Sequence, residues 1–244
     1  MDENIATTYG DHLAEVYDHW FDSCEEGTIE LLAELAQGGP ALELGIGTGR
    51  IALPLAATGI EVQGIDASPA MVAKLRARPG GNAIAVTMGN FADVAVEGKF
   101  PLVFIAFNTF YALLTQEEQV RCFRNVAEHL TAGGTFLIEA FVPDVARFSR
   151  GQNVRAYTVT HDRVSLQAAH HDPLQQRLMT QNIVFTQNGA RLYPVEVRYA
   201  WPSELDLMAK LAGLKLRQRW GSWKREEFGS TSEKHISVYE RMAG

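Results

Sequence analysis

The segment Glu43-Leu44-Gly45-Ile46-Gly47-Thr48-Gly49-Arg50 places three glycines at alternate positions behind an acidic residue. Glycine lets a backbone turn sharply and lets a ligand approach the main chain with no Cβ in the way. In a nucleotide-binding α/β fold such a turn lies at the carboxyl edge of the sheet, at the switch point where ligands bind. The next apolar run, Glu61-Val-Gln-Gly-Ile-Asp66, ends in a second acid. A carboxylate at that spacing accepts hydrogen bonds from both hydroxyls of an adenosine ribose. Capping the helix that follows is the alternative use of the same side chain.

Two cofactors are held in this way, NAD and S-adenosylmethionine. The dinucleotide pattern G-x-G-x-x-G requires its third glycine at position 50, where this chain has Arg50. An arginine there crowds the helix against the strand beside a pyrophosphate.

The elements that must carry these residues follow from periodicity. Residues 11–36 read as helical, with Leu13, Val16, Tyr17, Trp20 and Phe21 on one face and Ile29, Leu32, Leu35 and Ala36 on another. Short apolar strands are expected at 40–45, 61–66, 83–88, 102–107 and 135–141, alternating with helices from Arg50 to Gly59, after Ser68-Pro69, and at about 116–130, the last ended by Ala132-Gly133-Gly134. The run 102–107 is apolar on both faces and belongs in the middle of a covered sheet. Alternation of this kind indicates a doubly wound, largely parallel sheet. After Pro143 the pattern changes to alternating runs over 154–200, with turns at His161-Asp162, Asp172-Pro173 and Asn188-Gly189. These read as an antiparallel cap inserted after the fifth strand. A helix from Pro202 to Leu211 and strands at 215–220 and 235–240 then complete a mixed seven-stranded sheet. The expected organisation is N-terminal helices and a cofactor-binding core over 1–142, a cap over 143–200, and completion of the core sheet by 201–244.

With Glu43 ahead of it, the Gly45-x-Gly47-x-Gly49 turn resembles the first motif of class I S-adenosylmethionine-dependent methyltransferases, of the small-molecule type, with nitrogen or oxygen as the expected acceptor atom and carbon left open. The resemblance extends over most of the chain and implies a Rossmann-like fold with S-adenosyl-L-methionine as cofactor. It implies that the glycine loop takes the methionine part, with Glu43 in indirect contact. By the same resemblance Asp66-Ala67 and Met71 serve the ribose and adenine, and Asn90-Phe91 flanks the adenine, although Asn90 stands where the family has an acid. Phe107 and Asn108 follow a strand like that of the fourth motif, with Pro101 where aspartate is frequent, and would lie near the transferable methyl. Tyr9 and Tyr17 resemble residues of an N-terminal helix that folds over the cofactor.

No catalytic base is assigned by the sequence. Methyl transfer from a sulfonium is accelerated largely by positioning, and a base is not always required. His170, His171 and Asn108 are the candidates should one be needed; His12 and His19 have the same unperturbed chemistry. Trp20, Phe110, Tyr111, Trp220 and Trp223 offer either an acceptor lining or plain packing. Acidic residues outnumber basic ones, 29 to 22, for a net charge of -7. That charge opposes approach to a phosphate backbone, so a small-molecule acceptor is expected and nucleic acid is not. The two cysteines, Cys24 and Cys122, have no spacing suited to zinc, and no metal site is expected. An acidic start without a secretion signal, and the lack of a long apolar run, point to a cytoplasmic protein without a membrane span. A homodimer through the cap is an open arrangement. The competing functions are an NAD-dependent oxidoreductase and a non-catalytic partner protein that keeps the methyltransferase fold.

Overall fold

The computed structural model describes residues 23–241. Chain order is α1 (Thr28–Ala36), β1 (Ala41–Leu44), α2 (Ala52–Ala57), β2 (Val62–Asp66), α3 (Pro69–Ala77), β3 (Ala85–Met88), β4 (Phe100–Ile105), α4 (Gln116–His129) and β5 (Leu130–Phe141). Then come β6 (Gln152–Val159), β7 (Arg163–Asp172), β8 (Arg177–Thr186), β9 (Gly189–Arg198), α5 (Pro202–Leu211), β10 (Leu214–Trp220) and β11 (Lys234–Arg241).

The main sheet has seven strands in the order β10-β11-β5-β4-β1-β2-β3. Strands β1 to β5 pair in parallel, and β11 runs antiparallel to both β5 and β10. This is the doubly wound mixed seven-stranded sheet expected from the sequence. β4 is a continuous apolar run, and β1 is one but for Glu43, because helices cover both faces and leave no polar side to mark. One face packs under α4 and α5 through Phe123, Phe136 and Tyr239, whose rings meet edge to face at 5.2 and 5.4 Å. The other face packs under α1, α2 and α3 through Leu32, Leu55 and Leu75. Because the chain leaves β1 for β2 on one side and reaches β4 on the other, the sheet's switch point lies between β1 and β4.

Local chemistry sets the helix starts. Ser68 Oγ accepts the Met71 N–H at 3.2 Å ahead of Pro69, and Thr115 with Glu118 forms a reciprocal capping box on α4. Pro54 falls in the first turn of α2, where a missing N–H costs nothing. Several boundaries differ from the sequence reading, two of them for a plain physical reason. β4 ends at Ile105 rather than 107, because Phe107 and Asn108 turn left-handed, with φ of 56° and 66°. β5 begins at Leu130, directly after α4, so the glycines 133 and 134 lie within the strand instead of closing the helix.

Between β5 and α5, β6 to β9 form a four-stranded antiparallel meander. Its rows Ala156–Leu166–Ile183–Leu192 and Val159–Val164–Phe185–Ala190 run across one face in register. That face is apolar and open: Val159, Phe185 and Leu192 are all exposed. Its root is tied down by Arg198, which donates to Gln119 at 2.6 Å and pairs with Glu204 at 2.8 Å.

Candidate cofactor cleft

The glycine loop leaves β1 with its first two amides, Gly45 N–H and Ile46 N–H, both donating to Ile65 O, at 2.8 and 3.0 Å. All three glycines have φ between 55° and 77°, a region that penalises a Cβ. Two of them are also required by packing. A Cβ on Gly45 would sit 2.4 Å from Thr109 Cγ2, and one on Gly49 would sit 2.3 Å from Leu75 Cδ1. Gly47 differs: a Cβ there meets no atom within 4 Å. Its main chain therefore faces open space, in a shallow cleft lined by Glu43, Gly47, Arg50, Phe107 and Thr109.

Asp66 staples this loop to the end of β2. Its Oδ2 accepts the Gly47 N–H at 2.7 Å and its Oδ1 accepts the Ser68 N–H at 2.8 Å. Of the two uses weighed for the sequence, the structure shows the one at the start of α3, through the Ser68 amide, and adds the tie to Gly47.

Glu43 is buried at the cleft floor, and its Oε2 has no hydrogen-bond partner. Burial pushes its carboxyl up to about 8, against the pull of the Arg50 guanidinium and with the help of the Asp66 charge. Arg50 spans the mouth. Its guanidinium lies 4.6 Å from the centre of the Phe107 ring, and its Nη1 donates to Ser23 O at 2.9 Å.

The far wall is the turn after β4. Two successive non-glycine residues in the left-handed region need surroundings that over-determine them. Phe107 N–H donates to Glu139 Oε2 at 2.8 Å, Asn108 N–H to Glu139 O at 3.2 Å, and Asn108 Oδ1 accepts the Phe141 N–H at 2.6 Å. Asn108 is therefore a structural brace for the turn. Sequence reasoning overlooked Glu139. The signal was available, since an acid in the apolar run Phe136-Leu-Ile-Glu-Ala-Phe141 on a covered strand must be buried and must find partners.

The remaining expected residues are distributed as follows. Met71 and Phe91 are buried beside the loop's core, and Ala67 is half-buried next to Asp66. Asn90 Oδ1 accepts the Ala92 N–H at 2.9 Å, an Asx turn that fixes the strand exit. Tyr9, Tyr17, His12, His19 and Trp20 lie outside the described residues. His170 and His171 point to opposite faces of the cap and do not converge. His171 is buried between Phe148 and Tyr199 and approaches the Tyr199 hydroxyl at 2.9 Å, and its pKa falls below the ordinary range through burial. Phe110 and Tyr111 are fully buried core residues, Tyr111 donating its hydroxyl to Ala200 O at 2.8 Å, so packing is what they do. Among the described residues no three His, Cys, Asp or Glu side chains cluster as metal ligands, and no helix is long and apolar enough to cross a membrane.

A family model described as a methyltransferase domain matches residues 41–134, which span β1 to the start of β5. The CcbJ methyltransferase of Streptomyces caelestis is 41% identical, with a TM-score of 0.90 over 100% of each chain. The cypemycin N-terminal methyltransferase of a Streptomyces species is 28% identical over 208 residues, 84% of each protein. CalS10, an amino pentose methyltransferase of Micromonospora echinaspora solved with S-adenosylmethionine bound, shares the fold: its TM-score is 0.69, with 21% identity over 93% of this chain and 97% of that one.

Proposed function

The chain belongs to the class I S-adenosylmethionine-dependent methyltransferases that act on small molecules, and from that membership we propose that its acceptor atom is an amine nitrogen in preference to a hydroxyl oxygen. Support for nitrogen comes from two proteins named as N-methyltransferases, the sugar enzyme KedS8 and the glycopeptide enzyme MtfA, and from an enzyme named for the N-terminus of cypemycin. The observation that carries the site assignment is the Gly47–Asp66 staple at the switch point, with the open face of Gly47 beside it.

The residues present fit the cofactor. Gly47 leaves a cradle that any Cβ would fill, and the partnerless Glu43 Oε2 is a buried acceptor at its floor. When bound, S-adenosyl-L-methionine supplies an electrophilic methyl group on a sulfonium. Asp66 is proposed to hold the ribose: a carboxylate offers about four acceptor positions, so serving two backbone amides does not bar a diol. Gly45 to Gly49 are proposed to take the methionine part, Ala67, Met71, Asn90 and Phe91 the adenine side, and Phe107 and Asn108 the reacting end. Tyr9 and Tyr17 are proposed to close over it. Rate enhancement then comes from orientation in a water-poor cleft, with no obligatory base.

Calorimetric titration is expected to show binding of S-adenosylmethionine and S-adenosylhomocysteine and none of NAD, whose third glycine is replaced by Arg50. With a panel of primary and secondary amines and matched alcohols, mass spectrometry is expected to find one added methyl on amines. Methylation confined to alcohols would refute the nitrogen assignment and leave the family intact.

The open apolar face of the cap is proposed to pair with the same face of a second copy. Its exposed Val159, Phe185 and Leu192 form a contiguous patch of the kind that marks an interface. Sedimentation at micromolar concentration should give a dimer, and Leu192→Lys should give a monomer that still binds cofactor. A monomeric wild-type protein would remove this assembly.

A further inference from the structure

Glu139 is buried near the end of β5, in the otherwise apolar run Phe136–Phe141, yet its carboxylate is fully engaged. One oxygen, Oε2, accepts the Phe107 N–H at 2.8 Å. The other, Oε1, accepts from Trp223 Nε1 at 3.0 Å and from Lys234 Nζ at 3.3 Å, and Lys234 also pairs with Glu25. One side chain therefore ties the turn after β4 to the segment between β10 and β11 and to the start of β11. Its backbone carbonyl adds a further tie by accepting the Asn108 N–H. Nothing in the fold requires an acid here: the neighbours Ile138 and Ala140 are apolar, and a buried charge is costly unless its partners are worth keeping.

We propose that Glu139 is a positioning residue for the reacting end of the cofactor cleft, holding Phe107 and Asn108 in their left-handed turn so that this wall meets the sulfonium methyl. The inference rests on the site reading given above, which places that turn at the methyl. A carboxylate suits the task because it accepts on two oxygens at once. Glutamine accepts on only one, so Glu139→Gln must abandon either the Phe107 N–H or the Trp223 and Lys234 donors.

S-adenosylmethionine and S-adenosylhomocysteine differ only in the methyl group and the charge it creates, so their affinity ratio reports on this wall alone. In Glu139→Gln, calorimetry is expected to find S-adenosylmethionine binding weakened about tenfold while S-adenosylhomocysteine binding holds to within about twofold, the loss of one charged hydrogen bond. Glu139→Asp keeps the charge but is a methylene too short to span both partners, and it is expected to shift the ratio in the same direction. A shift in the glutamine variant without one in the aspartate variant would mean that the charge alone acts, and would overturn the positioning role. Equal weakening of both ligands, accompanied by a lower melting temperature, would reduce Glu139 to a fold-stabilising residue, as would no change in either. Should the glutamine variant fail to fold, the aspartate variant carries the comparison. If Asp66→Ala left both affinities untouched, the site reading itself would fail, a result separable from any outcome at position 139.

Discussion

Asp66→Ala is expected to weaken S-adenosylmethionine binding by about 100-fold, the equivalent of about 2.8 kcal/mol. Hydrogen bonds to a charged group contribute roughly 1.5–3 kcal/mol each, and a ribose diol would lose two of them. The structure adds a second consequence, because Asp66 also holds the Gly47 and Ser68 amides at 2.7 and 2.8 Å. Alanine leaves the loop unstapled, so the free protein is expected to lose roughly 1–3 kcal/mol of stability as well. Judged from sequence alone, a carboxylate at a strand end supports little packing and its removal spares the fold; the staple corrects that expectation. The two effects separate experimentally. Asp66→Asn keeps one acceptor, enough for one amide, and should recover part of the stability but little of the affinity. Calorimetry with both adenosyl ligands, beside denaturant unfolding of the free variants, checks both. Lost stability with unchanged affinity would leave Asp66 as a loop staple only and would end the site reading.

The fold was legible where the chain obeys one physical rule at a time. β1, β2 and β4 are runs of apolar residues long enough for a strand and too short for a helix, bounded by glycine and proline, and that pattern has few other solutions. The cap was legible because alternation with period two appears only after Pro143 and its turns carry Asp-Pro and Asn-Gly. Boundaries failed where tertiary contacts outvoted local preference. Phe107 continues an apolar run and reads as strand, yet Glu139 from the neighbouring strand captures its amide and bends the chain left-handed. Gly133 and Gly134 read as a helix stop, but pairing of β5 with β4 and β11 draws them into the strand.

The site was half legible for a related reason. Gly45, Gly47 and Gly49 announce themselves because their backbone needs the type, and Asp66 because it is an acid closing an apolar run. Thr109, which fills the space beside Gly45, and Glu139 are set by packing across the sheet. Such pairs are invisible without knowing that β4 lies between β1 and β5. The aromatic residues erred in the other direction. Phe110 and Tyr111 have the chemistry of a binding pocket, but their burial under α4 and beside the cap makes them core.

Glu43→Gln is expected to make the ligand-free protein more stable than wild type at pH 8.5 and nearly indistinguishable from it below about pH 4. In the native state the Glu43 carboxyl is pushed up to about 8 by burial, with the nearby Asp66 charge adding to the shift and Arg50 opposing it. In the unfolded chain it titrates near the ordinary value of about 4.3. Between those two values the folded protein holds a proton that the unfolded chain has released. Raising the pH through that window therefore costs stability, at a slope of up to about 1.4 kcal/mol per pH unit. The contribution is fully present below the unfolded pKa and is gone above the folded one. Glutamine fills the same volume, keeps an acceptor for the Ala52 amide that the carboxylate serves, and has no proton to lose. The difference between the two proteins should therefore open from about pH 4 and level off above about pH 8. Urea unfolding at half-unit intervals across that range reads it directly. Parallel curves would mean that Glu43 is already ionised in the native state at neutral pH. Arg50 would then neutralise it outright, and the cleft floor would present a salt bridge rather than a neutral acid to the cofactor.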